Sequence, residues 1–116
     1  MSQASPQESR FVVLEDGAAL EELFARSHRE PVVVFKHSLT CPISARAYRE
    51  MQTYEGEVAL VVVQRAPAVS REIAARTGVR HESPQAIILR DGEARWSASH
   101  FDITAAVVAE AARAQR

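Results

Sequence analysis

A chain of 116 residues, 47% hydrophobic and 25% charged, has the length and composition of one globular domain that buries a core without staples. Its 14 basic and 15 acidic side chains leave a net charge of -1, which excludes the basic excess that binds nucleic-acid backbones or anionic membrane surfaces. A single cysteine excludes an internal disulfide, and a cytoplasmic setting is expected.

Residues 1–10, MSQASPQESR, are polar and carry no apolar signal-peptide core; a disordered tail is expected there, with one domain over residues 11–116. Phe11-Val12-Val13-Leu14 is a short β-prone run. Leu20, Leu23, Phe24 and Ser27 then recur at helical spacing, which predicts a helix over 17–28 that Pro31 closes. Val32 to Lys36 is continuously apolar and β-branched up to its lysine, the pattern of a strand covered on both faces. Helical spacing returns over 42–54, with Ile43, Ala47, Met51 and Tyr54 on one side. Val58 to Val63 predicts a second central strand. Residues 68–77 suit a helix with Val69, Ile73 and Ala74 inward and Gly78 just past its end. Gln85 to Leu89 and Ala94 to Ser97 flank Asp91-Gly92, a hairpin turn. Asp102 is a candidate cap for a last helix over 103–114, with Ile103, Val107 and Ala111 stacked.

The predicted order is βαβαβαββα. Helices alternating with apolar strands require an α/β fold, a central mixed sheet with helices on both faces, parallel except where the closing hairpin adds antiparallel strands. No apolar run is long enough to span a membrane.

The chemistry gathers at "VVVFKHSLTCPISARAYREM", residues 32–51. Reactive groups in such sheets collect beyond the carboxyl ends of strands, and Cys41 lies there, where a helix begins. Amides at a helix start lack intrahelical partners and carry partial positive charge, so a thiolate is favoured at that spot over a thiol. Cysteines so placed titrate at roughly 3.5–7.5, and the thiolate is the species that attacks disulfides. Pro42 suits the first helical position. Ser44 faces the same turn and offers a hydroxyl or an amide to the sulfur, and Lys36 and His37 are nearby cations in sequence. A buried, inert cysteine is the competing reading. Ser83-Pro84 precedes a strand; it is either an ordinary trans proline starting that strand or a cis-proline loop beside Cys41, and both readings stand.

These parts resemble the thioredoxin fold. Phe35-Lys36-His37-Ser38 with Thr40-Cys41-Pro42-Ile43-Ser44, then Arg76-Thr77-Gly78-Val79 leading to His81-Glu82-Ser83-Pro84-Gln85, then Trp96 to Thr104, are similar to the YtxJ family, the monothiol bacilliredoxins. The resemblance implies reduction of mixed disulfides between proteins and bacillithiol, a glucosamine–malate–cysteine thiol that serves as co-substrate; no cofactor is held. It implies Cys41 as nucleophile, Thr40, Pro42 and Ser44 as its surroundings, Ser83 as a backbone contact and Pro84 as the cis-loop residue. Bacillithiol and bacillithiolated proteins are the expected partners, without nucleic acid or membrane. Ser44 stands where two-cysteine thioredoxins carry the resolving cysteine. With no second thiol in the chain, a one-thiol cycle is left, reset from outside. Lys36, Arg46, Arg65 and Arg80 are candidates to meet the carboxylates of bacillithiol.

Two rival readings remain open from sequence: an iron–sulfur carrier of the monothiol glutaredoxin type, from whose Cys-Gly-Phe-Ser motif Pro42-Ile43 departs, and a redox-inert interaction module. The histidines have no compact metal-ligand spacing, so no metal site is expected. Trp96 is expected to cap the sheet, with Phe101 and Ile103 anchoring the last helix.

Overall fold

The computed structural model describes residues 10–116; the tail expected over residues 1–10 lies outside them except for Arg10. The elements are β1 (Phe11–Val13), α1 (Gly17–Arg26), β2 (Val32–His37), α2 (Pro42–Gln52), β3 (Val58–Val62), α3 (Pro67–Thr77), β4 (Gln85–Arg90), β5 (Glu93–Ser99) and α4 (Ala105–Ala114), with a single 3-10 turn, His100–Asp102, before α4. This is the predicted order. The five strands form one sheet in the order β1-β3-β2-β4-β5. β3 is parallel to both β1 and β2, and β4 is antiparallel to β2 and β5.

The continuous apolar runs occupy the centre because both of their faces are covered. Val32 to Lys36 and Val58 to Val62 are buried throughout. On one face Val32, Val34, Ala59, Val61, Ile87 and Leu89 meet Leu20, Leu23 and Phe24 of α1 and Val69 and Ile73 of α3. On the other, Val33, Phe35, Val58, Leu60, Val62 and Ile88 meet Ala47 and Met51 of α2 and Val108 and Ala112 of α4. Alternate side chains of one strand thus feed opposite cores. The β4–β5 turn has positive φ at both central residues, Asp91 at 57° and Gly92 at 76°, as a primed two-residue hairpin requires. Gly78 closes α3 at φ 74°, and its amide bonds the Ala74 carbonyl at 2.9 Å.

The last helix departs from expectation. Thr104, not Asp102, is its N-cap, accepting from the Val107 amide at 3.1 Å, because residues 100–102 are spent in the 3-10 turn. Ile103 and Thr104 are extended, so Ile103 does not set the helical phase: Val108 and Ala112 face the core and Val107 is exposed. Ile103 is fully buried, as expected of an anchor, whereas Phe101 is 61% exposed. Trp96 is half-buried against the second core and sits opposite Ile88. Among the described residues no helix is long and apolar enough to cross a membrane.

Candidate active site

The register of the sheet sets the site. Lys36 of β2 pairs with Gln85 of β4, and Gln85 pairs with Ser99 of β5. The carboxyl end of β2, the segment entering β4 and the segment leaving β5 therefore share one end of the sheet. From them come the Cys41 loop, Ser83-Pro84 and the His100 turn. The Ser83–Pro84 peptide is cis, and the Pro84 carbonyl accepts the His100 amide at 3.0 Å. His100 holds φ at 57° to make that turn, and Glu82 lies 3.9 Å from its Nδ1.

Cys41 is the N-cap of α2, with extended backbone, no side-chain capping bond, and Pro42 at the first helical position. Its side chain is half-exposed. The sulfur is therefore at the helix entrance, open to a reactant, and not sealed in hydrocarbon. A helix start carries amides without intrahelical partners, and Cys41 caps that start; a thiol there attacks only as an anion.

The loop that carries it is pinned by side chains. Ser44 is fully buried, and its hydroxyl accepts the Ser38 amide at 3.1 Å. The sequence offers that hydroxyl as a donor to the sulfur; among the described residues no hydrogen bond joins it to Cys41, and the bond it makes is to the loop backbone. Gln64, just past β3, accepts the Leu39 amide at 3.1 Å and donates to Ser38 Oγ at 2.8 Å and, at 3.5 Å, to Thr40 Oγ1. The Thr40 amide points to Ser38 Oγ at 3.4 Å. Thr40 and Pro42 are exposed, Ser83 is half-exposed and Pro84 is buried. Gln64 was missed in sequence; the signal was a polar residue ending an apolar strand parallel to β2, which places it beside the β2 exit. Gln64→Ala should lower kcat/KM for thiol exchange about tenfold through looser placement of Cys41, with the unfolding free energy changed by less than about 1 kcal/mol. Steady-state kinetics beside a denaturant titration check this; an unchanged kcat/KM would show the clamp to be dispensable.

The basic candidates separate. Lys36 does not reach out to a substrate: it has no exposed surface, and its ammonium donates to the Ser70 carbonyl at 3.3 Å and to His81 Nδ1 at 3.2 Å. Its place in β2 turns it to the core face opposite α2, and burial pushes its pKa down to about 8. Arg46 lies over the exposed Phe101 ring at 5.4 Å. Arg65 lines a recess between α1 and α3 that Glu15 and Glu21 also line, and the Arg80 carbonyl accepts from Gln85 Nε2 at 2.9 Å. His37 ends β2 between the rings of Phe35 and Tyr48, at 5.8 and 4.9 Å. Burial lowers its pKa against an opposing pull from the Ser44 backbone, and its buried Nδ1 has no partner among the described residues. Among the described residues no three His, Cys, Asp or Glu side chains stand close enough to hold a metal ion.

One half-exposed thiol at a helix N-cap beyond the carboxyl end of β2, the one cysteine of the chain, marks a thioredoxin-fold thiol oxidoreductase. Comparison with solved structures agrees. A candidate oxidoreductase with a thioredoxin fold superposes with a TM-score of 0.81 at 33% identity, over 90% of this chain and 96% of the other. Thioredoxin from Trypanosoma brucei brucei (TM-score 0.72, 13% identity, 98% and 95% covered) and Fasciola hepatica thioredoxin (0.69, 17%, 90% and 98%) share the fold. Residues 12–108 match the family described as monothiol bacilliredoxin BrxC. The chain belongs to that family.

Proposed function

We infer that this protein removes bacillithiol from proteins that carry it in mixed disulfide. The observation that supports the reading most is the fate of position 44. Where a resolving thiol would stand, a fully buried serine holds the loop instead, so Cys41 has no internal partner. Cys41, as thiolate, attacks the bacillithiol sulfur of the mixed disulfide. The old S–S bond breaks, the protein thiolate leaves and takes a proton from water, and a Cys41–bacillithiol disulfide remains. A thiolate from a second small thiol then attacks the bacillithiol sulfur of that disulfide; the Cys41 thiolate leaves, and the two small thiols depart joined as a disulfide, having supplied the two electrons of the net reduction.

The exposed Leu39 and Phe101 flank the loops around the sulfur and offer apolar contact to the protein that carries the disulfide, and Ser83 offers its main chain. A cytoplasmic setting, where small thiols are kept reduced, suits this chemistry.

The cycle predicts its own stoichiometry. Mixed with an excess of bacillithiolated protein and no other thiol, the enzyme should release one equivalent of protein thiol per Cys41 and stop. Free bacillithiol should restore turnover. Repeated turnover without added thiol, or no release at all, would refute this cycle.

A further inference from the structure

Lys36, Ser70 and His81 form a polar group on the sheet face opposite α2, and the thiol chemistry makes no use of it. The lysine is fully buried, yet the ion pairs of the described residues have only arginine or histidine on the cationic side. A buried cation without an anion is costly. Of its three N–H donors two meet protein acceptors, so one has no protein partner among the described residues. Because an ammonium only donates, His81 Nδ1 accepts, and the ring proton is fixed on Nε2. Ser70 Oγ, 3.1 Å from the same Nδ1, closes the triangle.

Above this group lies a recess of about 340 Å³ lined by Val63, Pro67, Ser70, Arg71, Ala74 and His81. Its lining holds two basic side chains and no acid, and Arg71 makes no ion pair among the described residues. The recess backs onto both segments that frame Cys41. The Val63 amide bonds the His37 carbonyl at 3.0 Å, the next residue is the Gln64 that clamps the Cys41 loop, and His81 stands two residues before Ser83.

We propose that this recess receives a carboxylate of the small thiol that Cys41 removes, with the Arg71 guanidinium and the His81 Nε2–H as its partners and Lys36 as the positioning residue that holds His81 in that tautomer. The proposal rests on the function inferred above and narrows it to thiols that bear a carboxylate, as bacillithiol does in its malate unit. A planar guanidinium beside a fixed N–H suits a carboxylate, and an anion here would relieve the uncompensated charge of Lys36.

The test has a binding arm and a kinetic arm. L-malate titrated into Cys41→Ser protein should shift the His81 ring resonances and raise Tm; in the Cys41→Ser/Arg71→Ala double variant its Kd should rise at least about tenfold. With active enzyme, Arg71→Ala should raise KM about tenfold for a protein–bacillithiol disulfide and leave that for a protein–cysteamine disulfide, which lacks a carboxylate, unchanged. Malate that leaves His81 undisturbed, or an Arg71→Ala effect that is absent or equal on both substrates, would overturn the proposal. Wild-type protein inactive on both substrates would remove the function itself, and this use of the recess with it, whatever malate does.

Discussion

Cys41→Ala is expected to reduce protein-thiol release from a bacillithiolated substrate to the background rate of free thiol exchange. No other sulfur nucleophile exists in the chain: the loss should be complete, and no neighbouring residue can take over. The fold should survive it. Cys41 is half-exposed and makes no side-chain capping bond, so its truncation should move the unfolding free energy by no more than about 0.5 kcal/mol. Progress curves with the variant, next to its denaturation curve, check both halves. Residual release above background in a folded variant would mean that Cys41 is not the nucleophile.

Lys36→Met is the second large effect, and it concerns stability. Burial lowers the Lys36 pKa from 10.5 to about 8, so below pH 8 the folded protein bears the full cost of a buried charge, about 3 kcal/mol from the shift alone. Between pH 8 and 10.5 the unfolded chain holds this proton more tightly than the native state, so wild-type stability rises with pH through that window from this group. A methionine of similar length removes the charge and keeps the volume, at the loss of two hydrogen bonds. The variant should therefore be more stable than wild type by about 1–3 kcal/mol at pH 7, with the difference shrinking from pH 8 upward and levelling off above 10.5. Urea unfolding at a series of pH values measures it. A variant that is less stable at pH 7, by an amount that does not change between pH 8 and 10.5, would mean that the bonds to Ser70 and His81 outweigh the burial cost. Lys36 would then be a structural tie and not a stored charge.

Local pattern explains what could be read from the chain. Val32 to Lys36 and Val58 to Val62 lack alternation because both faces are buried, so they announced central strands. Asp91-Gly92 announced the hairpin because that turn needs positive φ twice. Cys41-Pro42 was legible for the same reason: N-cap and first helical residue are neighbours, and strand, loop and helix start follow one another directly in the chain. What was missed depends on distant partners. A lysine at the end of an apolar strand reads as exposed, since charged residues are seldom fully buried; its actual partners lie 34 and 45 residues away. Gln64 likewise earns its place through residues 24 to 26 positions upstream. The face of α4 was not legible because Ile103 and Thr104 are extended: the buried Ile103 stands outside the helix and does not set its phase, so Val108 and not Val107 turns inward.

Intact-mass spectrometry of the protein, quenched with acid after brief mixing with a bacillithiolated substrate, tests the single-sulfur mechanism most directly. One bacillithiol adduct per chain is expected, located at Cys41 by peptide mapping, and it should disappear when free bacillithiol is added. An unmodified protein alongside released substrate thiol, or a disulfide from Cys41 to the substrate protein in place of the small thiol, would contradict it.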